Sequence, residues 1–333
     1  MNEIFYQSIY APYIRDLVSY KRALGFKYVE EARIFSRFDA FIVKEDIKQI
    51  GITRDLYEKW RDQIPGQSDN YKYARCVCLN QLAAYLSDVG IASYISRLPK
   101  RRSSFTPYIF SKQEINNLFE VSNRIELNYR RMNSVIFSIP ILLRFLYSTG
   151  LRIGEALSLN NEDINLSDNF LVVKDSKNGK ERLIPLSETL SLSCKEYLKY
   201  KEKLPINIFA DSPFFISLNG ARYTQSEAYY WFRKLLIKCK IPFIGNEHQH
   251  RGPRIHDLRH TAACHALAQM AENGMDLYCS LPILSAFLGH QTLKATDLYV
   301  RLTAEMYPGL MHKMDIEYLT VFPKIKYESN GLL

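Results

Sequence analysis

Two side chains suited to binding an anion stand three positions apart in the segment 254–261, Arg-Ile-His-Asp-Leu-Arg-His-Thr. They are His256 and Arg259, and an apolar helical pattern follows them. Residues three apart project from the same face of a helix, so both could contact one small anion. Taken alone, such a pair is more often an ordinary polar helix start, and other segments must decide between the two interpretations.

Two further segments carry residues with related chemistry. Arg152 stands in Thr-Gly-Leu-Arg-Ile-Gly-Glu-Ala-Leu, a glycine-bounded turn that leads into another predicted helix. His290 follows Gly289, and Tyr299 comes nine residues later. Arginine binds anionic oxygens through forked donors, and a tyrosine hydroxyl can act as a nucleophile. No single one of these residues is decisive, since the chain contains 23 tyrosines.

A β-hairpin is predicted between Arg152 and His256. Strand-like runs at 170–173 and 182–184 flank Lys177-Asn-Gly-Lys180, and Asn-Gly is a strong signal for a tight turn. The predicted turn therefore presents two lysines.

The ordered set resembles the tyrosine recombinase family, which includes the Xer-type recombinases and the integrases of phages and mobile elements. The family signature is an Arg in a TGLRxxE frame, a hairpin Lys, an HxxR pair, a Gly-His and a Tyr. The resemblance covers roughly residues 105–310 by motif. All six catalytic positions are filled here, by Arg152, Lys177, His256, Arg259, His290 and Tyr299.

This resemblance implies that DNA is cleaved without a metal ion. Negative charge gathers on the nonbridging oxygens as a fifth oxygen approaches phosphorus, and the guanidiniums of Arg152 and Arg259 can donate to these oxygens in a forked geometry. They would stand where many nucleases hold a divalent metal. No cofactor is therefore expected, and Glu155 and Asp257 are interpreted as supports for the arginine and histidine segments.

The resemblance also implies a role for each remaining residue. Tyr299 would attack phosphorus, and its phenol, with an ordinary pKa near ~10, needs a base, for which His256 is predicted. His290 would donate a hydrogen bond to a nonbridging oxygen, and Lys177 would protonate the departing 5′ oxygen. Lys180 is the alternative to Lys177 for that step. The product would be a 3′-phosphotyrosyl bond, which keeps the energy of the cleaved bond for rejoining.

The composition is that of a globular protein with a polyanionic partner. The chain has 333 residues, 47% of them hydrophobic, and a net charge of +9. Its six cysteines match no common zinc pattern, and we expect them to be reduced and mostly buried. The sequence has neither a membrane-length apolar run nor a signal-peptide pattern, so a cytoplasmic location is expected.

Helical patterns and breaks predict a mainly α protein of two domains. Residues 8–98 read as about four amphipathic helices, in the place of the family's all-helical, SAM-like core-binding domain. A basic linker at 99–107 leads to a catalytic domain at 108–333, helix-rich with a small antiparallel sheet, in which Ser111 to Glu114 predicts a capping box. The tail from about residue 318 is expected to pack on a neighbouring protomer.

Double-stranded DNA carrying a recombination site is the predicted partner, and no membrane contact is expected. Lys100, Arg101 and Arg102 in the linker, together with Arg254, are candidate phosphate contacts. Recombination needs four strand cleavages, so the resemblance implies a homotetramer on two DNA sites, whereas the free protein could be a monomer.

Integration or excision of a mobile element is the predicted task, favoured over dimer resolution by the long stretch between Arg259 and His290. A type IB topoisomerase, which shares phosphotyrosine chemistry, is one alternative. A DNA-binding regulator that has lost catalysis is the other. The TGLRIGEAL frame and the Gly-His favour the recombinase over the first, and the complete set of six catalytic positions argues against the second.

Overall fold

The structure is a computed structural model that describes residues 4–64, 66–99, 106–126, 134–174, 181–241, 252–290 and 294–307. The chain divides into two compact units, Met1–Phe105 and Thr106–Leu333. Three groups of predicted functional residues lie outside the described ranges: the hairpin lysines Lys177 and Lys180, the linker residues Lys100, Arg101 and Arg102, and the tail from 318.

The first unit is built from helices alone within its described residues. The four helices are α1 (Ala11–Ala23), α2 (Val29–Lys44), α3 (Arg54–Asp62) and α4 (Asp69–Asp88), which confirms the predicted number. Thr53 and Ser68 cap α3 and α4 by accepting hydrogen bonds from backbone N–H groups of the first turn. Buried aromatic side chains, among them Phe35, Phe38 and Trp60, form the core of this unit.

The second unit contains eight α-helices and one small sheet in its described part. Short 3-10 turns at Ile136–Ser138 and Asn161–Asp163 accompany them. The helices are α5 (Lys112–Asn123), α6 (Ile139–Thr149), α7 (Ile153–Ser158), α8 (Glu188–Lys201), α9 (Gln225–Lys238), α10 (Asp257–Glu272), α11 (Leu277–Leu288) and α12 (Lys294–Met306).

The sheet has three antiparallel strands in the order β1 (Ile164–Asn165), β2 (Phe170–Val173) and β3 (Arg182–Pro185). In the β2–β3 pair, Leu171 lies opposite Ile184, and both are fully buried. The predicted fold class, helix-rich with a small antiparallel sheet, is therefore confirmed.

Helix α6 runs through the core of the second unit. Leu142, Leu143 and Phe145 have no exposed surface, and Gly150 ends the helix in a left-handed conformation. Helix α10 packs against α6, α11 and α12, so the two predicted catalytic segments at 152 and 256–259 lie on neighbouring elements. Five of the six cysteines are buried, as predicted. Among the described residues, no helix has both the length and the apolar character that crossing a membrane requires.

Two polar contacts fix the start of this unit. Ser111 and Glu114 form the predicted capping box at α5, with the Ser111 backbone N–H donating to Glu114 Oε2 at 2.7 Å. Just before it, the Phe110 backbone N–H donates to Thr261 Oγ1 at 3.0 Å, and that hydroxyl donates to the Asp257 carbonyl at 2.8 Å. Thr261 has no exposed surface, so its hydroxyl joins the start of the unit to α10 in the interior of the protein.

We expect Thr261→Val, which keeps the side-chain shape, to lower the free energy of unfolding by about 1–3 kcal/mol, because the buried Phe110 N–H loses its acceptor. Urea unfolding monitored by circular dichroism would measure the change. Thr261→Ser keeps the hydroxyl and should cost less. Equal stability of the valine and serine variants would show that this hydrogen bond contributes nothing.

Candidate active site

Arg152 occupies the tight connection between α6 and α7. After the left-handed Gly150, Arg152 adopts an extended conformation as the residue that caps α7, and its backbone N–H donates to Glu155 Oε2 at 3.0 Å. A Cβ atom added to Gly150 would lie 2.8 Å from Leu288 Cδ2. Glycine is therefore needed here both for the backbone conformation and for the close approach of α11.

Glu155 binds two arginines from different parts of the fold. Its Oε1 accepts from Arg152 Nη1 at 2.7 Å, and its Oε2 accepts from Arg182 Nη2 of β3 at 2.9 Å. Burial would raise the pKa of this carboxyl group, but the hydrogen bonds from Arg182 and from the Arg152 backbone outweigh it and lower the pKa to about 2. Glu155 thus stays ionised and fixes the direction of Arg152, as predicted from its position in the sequence.

Arg259 is held by backbone carbonyls and is only 2% exposed. Its Nη1 donates to the Gly150 carbonyl at 2.6 Å, and its Nη2 donates to the Leu288 carbonyl at 2.7 Å. The guanidinium therefore connects α10 to the ends of α6 and α11. A guanidinium has five N–H donors, so these two bonds leave further hydrogens for an anion.

Three histidines surround this arginine, and all three are shifted toward the neutral form. His256 precedes α10, His260 lies one turn later, and His290 follows α11. Burial, followed by the charges of neighbouring groups that include Arg259, lowers the pKa of His256 and of His290 to about 4 and that of His260 to about 3. Their rings can accept hydrogen bonds at neutral pH.

Tyr299 lies on α12 with its ring between two of these histidines. Its hydroxyl is hydrogen-bonded to Nδ1 of His260 at 3.1 Å, and its ring is nearly parallel to that of His290 at a centroid distance of 6.1 Å. The side chain is 2% exposed, and burial raises the pKa of its phenol while Arg259 opposes that shift. The nucleophile predicted from the sequence is therefore buried among cationic and neutral proton-transfer groups.

A cavity of about 750 Å³ opens beside these residues. Arg152 and His256 line it, and so does Lys174 at the end of β2, which forms ion pairs with Glu162 at 3.0 Å and Asp163 at 2.8 Å. Arg152 keeps 31% of its side chain exposed here. The cavity offers space for an anion next to an accessible guanidinium.

The structure thus brings five of the six predicted catalytic residues into one region, and the sixth, Lys177, lies outside the described ranges. Asp257 binds Arg254, with Arg254 Nη2 donating to Oδ1 at 3.1 Å, so it stabilises the start of α10. Within the described ranges, no group of three or more His, Cys, Asp or Glu side chains is arranged to hold a metal ion.

Two residues of this region were not assigned a catalytic or positioning role from the sequence. Arg182 is fixed by Glu155, and its guanidinium packs on Gly289, where an added Cβ atom would lie 2.8 Å from Nη1. His260 makes the hydrogen bond to Tyr299. In the sequence, Arg182 follows the hairpin lysines and His260 adjoins Arg259. Neither position indicates that the side chain contacts a residue far away along the chain.

Comparison with known proteins identifies the class. The sequence profile of the phage integrase family matches residues 109–306. The "Putative integrase/recombinase y4rB" of Sinorhizobium fredii is 27% identical over 305 residues, which cover 91% of this chain and 96% of that protein. The tyrosine recombinase XerA of Pyrococcus furiosus is 29% identical over 227 residues, covering 67% of this chain and 68% of that protein.

Solved structures agree in fold. The XerH site-specific recombinase bound to a palindromic difH substrate, a post-cleavage complex, superposes with a TM-score of 0.62 at 20% identity, covering 83% of this chain and 76% of that chain. A lambda integrase tetramer bound to a Holliday junction gives a TM-score of 0.59 at 16% identity, covering 86% and 76%.

The chain belongs to the phage integrase family. It is a tyrosine recombinase, an enzyme that cleaves and rejoins DNA strands.

We expect Glu155→Gln to destabilise the protein by on the order of 3 kcal/mol, because Arg152 and Arg182 would lose their shared buried counter-charge. Urea unfolding would measure the loss. A suitable control is Glu162→Gln, which breaks a half-exposed ion pair with Lys174 and should cost under about 1 kcal/mol. Similar losses for both variants would contradict the role given to Glu155.

The three partly buried histidines His256, His260 and His290 predict a stability that depends on pH. Each has a lower pKa in the folded chain than the ordinary value of 6.5, so the unfolded chain binds more protons as the pH falls. Stability should therefore be unaffected by these groups above pH 6.5 and fall from there toward pH 4, by up to about 1.4 kcal/mol per pH unit for each histidine. Urea unfolding across this range tests it. His260→Asn should reduce the slope, and an unchanged slope would show that His260 is not held neutral.

Proposed function

We propose that this chain is a site-specific integrase that cleaves DNA through Tyr299, forms a 3′-phosphotyrosyl intermediate, and integrates or excises a mobile element in the cytoplasm. The observation that carries the proposal is that four separate segments bring together Arg152, Arg259, His256, His290 and Tyr299, of which Arg152 and His256 line a cavity. A protein that only binds DNA has no need to place a buried phenol beside two guanidiniums.

The scissile phosphate would bind where Arg152 meets the cavity. Arg152 is the more accessible arginine of the two, and Glu155 fixes its direction. His256 lines the same cavity, so its ring is placed to contact a phosphate oxygen. Arg259 lies close to the Tyr299 hydroxyl, where its charge and hydrogen bond oppose the rise in pKa that burial causes. Charge developing on the nonbridging oxygens would meet donors that are already oriented.

Cleavage requires one proton to leave Tyr299, for which we assign His256 as the acceptor, and another to reach the 5′ oxygen. The bond from Tyr299 Oη to phosphorus forms as the bond from phosphorus to the 5′ oxygen breaks. We assign the donation to the 5′ oxygen to Lys177, with Lys180 as the alternative; both belong to the segment that joins β2 to β3. His290, whose Nδ1 is hydrogen-bonded to Thr296 Oγ1 at 2.8 Å, would use its other ring nitrogen for a nonbridging oxygen.

The first unit would act as the core-binding domain, at residues 8–98, with 99–107 as the linker and 108–333 as the catalytic domain. Lys100, Arg101, Arg102 and Arg254 are the proposed additional phosphate contacts, and double-stranded DNA is the substrate. Four strand cleavages imply four protomers, and the lambda integrase neighbour is a tetramer bound to a Holliday junction. We propose a tetramer on two DNA sites, formed from monomers, with the tail from about 318 exchanged between neighbours.

The test is covalent capture on DNA. The protein is incubated with nicked suicide substrates taken from the ends of the element that carries its gene, with EDTA present, and resolved on a denaturing gel. We expect an adduct with the wild-type chain and none with Tyr299→Phe, because phenylalanine lacks the attacking oxygen. The control is Tyr307→Phe, which removes the hydroxyl of the tyrosine that directly follows α12 and should leave the adduct intact.

Each other outcome has a distinct meaning. Specific binding without an adduct on any bound substrate would show that the chain is a DNA-binding regulator and not a strand-cleaving enzyme. An adduct that survives Tyr299→Phe would identify a different nucleophile. Relaxation of supercoiled DNA by the monomer, without recombinant products, would indicate a type IB topoisomerase.

A further inference from the structure

We propose that Arg182 is a positioning residue for DNA cleavage, which occupies one side of the Glu155 carboxylate and so keeps the guanidinium of Arg152 directed at the scissile phosphate. This inference rests on the proposed function and names a residue on which its phosphate-binding step depends. Arg182 acts through Glu155 and not by contact with the DNA.

Arg182 binds Glu155 with two of its nitrogens. Nη2 donates to Oε2 at 2.9 Å, and Nη1 donates to Oε1 at 3.4 Å. Both side chains are largely buried, with 12% of Arg182 and 9% of Glu155 exposed. A forked contact of this kind fixes the plane of a carboxylate as well as its position.

The bound Arg182 limits how Glu155 can hold Arg152. Glu155 Oε1 accepts from Arg152 Nη1 at 2.7 Å, whereas Oε2 accepts from Arg182 and from the Arg152 backbone N–H. Arg152 thus uses one of the five N–H donors of its guanidinium for this carboxylate. Its side chain remains 31% exposed in the cavity that His256 also lines, so further donors are placed to bind a phosphate there.

Without Arg182, Glu155 and a phosphate would compete for the same donors. Arginine and carboxylate side chains favour a bidentate pair, in which two parallel N–H groups bind the two oxygens. Glu155 that has lost Arg182 would form such a pair with Arg152 and turn the guanidinium toward itself. The donors that a phosphate needs would then be occupied by the protein's own carboxylate.

Close packing holds Arg182 in place beside Glu155. A Cβ atom added to Gly289, which ends α11, would lie 2.8 Å from Arg182 Nη1, 2.9 Å from Cζ and 3.0 Å from Nε. The guanidinium therefore packs directly on this glycine. On its other side the backbone of Arg182 belongs to β3, where it lies opposite Val173 of β2. Sheet and helix end together prevent the side chain from swinging away.

The first measurement asks how strongly DNA affinity depends on the charge of the scissile phosphate. Tyr299→Phe, which cannot cleave, is titrated with a duplex that carries either a phosphate or an uncharged methylphosphonate at the position mapped by covalent capture. We expect the methylphosphonate to raise Kd about tenfold, because Arg152 loses a charge-assisted contact. When Arg182→Met is added, this ratio of Kd values should fall at least about threefold, because Glu155 then holds Arg152.

Arg144→Met is the matched control. Arg144 is also a partly buried arginine of the second unit, but its Nη1 donates to the Pro140 carbonyl at 2.9 Å and its guanidinium lies over the Phe119 ring. This variant removes a cation without changing the contacts of Glu155, so it should keep the ratio of Tyr299→Phe alone. A methylphosphonate placed several nucleotides from the cleavage position checks that the effect belongs to one phosphate.

A conservative variant separates positioning from a loss of folding. Arg182→Lys keeps the charge but binds a carboxylate as a point charge and not as a fork, so its ratio should lie between those of the parent and Arg182→Met. Thermal melting checks that each variant is folded at the assay temperature. If Arg182 only neutralised a buried carboxylate, its removal would lower the melting temperature and leave the ratio unchanged.

The second measurement is single-turnover cleavage of a suicide substrate by the chain with Tyr299 intact. Arg182→Met should slow cleavage by about 30-fold or more, whereas Arg144→Met should cleave within about threefold of the wild type. An unchanged ratio of Kd values, or cleavage by Arg182→Met at the wild-type rate, would overturn the inference. If the wild-type chain itself forms no adduct, the proposed function fails instead.

Discussion

The second unit depends on holding three positively charged arginine side chains close together. Arg152, Arg182 and Arg259 lie close enough to lower the pKa of the same histidine, His290. Among the described residues, Glu155 is the carboxylate that pairs with two of these three guanidiniums. The cluster therefore holds a surplus of partly buried positive charge, which an anion would stabilise. A bound phosphodiester would supply negative charge there, so the repulsion among the arginines favours DNA binding.

The backbone compensates for this charge where side chains do not. Arg259 uses the carbonyls at the ends of α6 and α11, which helix geometry leaves without intrahelical partners. Gly150 and Gly289 end these two helices in left-handed conformations and leave space for close neighbours. The partial negative charge at a helix C-terminus suits a guanidinium. The glycines of the TGLR and Gly-His motifs are thus as necessary to the site as the charged residues beside them.

Local signals made much of this predictable from the sequence. The capping box at Ser111, the hairpin strands and the helix following His256 depend on residues a few positions apart, and each was confirmed. The contact between His260 and Tyr299 joins positions 39 apart, and that between Arg182 and Glu155 joins positions 27 apart. No local pattern encodes such pairs, because tertiary packing decides them. The resemblance to the tyrosine recombinase family identified the residues of the active-site cluster. Which hydrogen bonds these residues form is shown only by the folded structure.

The hydrogen bonds of Arg259 join segments of the chain that are synthesised at different times. One of its acceptors, at Gly150, precedes it in the chain, whereas the other, at Leu288, and the tyrosine beyond it are synthesised later. A chain that stops short of α11 contains Arg259 and the histidines beside it but lacks the Leu288 carbonyl and Tyr299. The complete hydrogen-bonding arrangement of Arg259 can therefore form only after α11 has been synthesised.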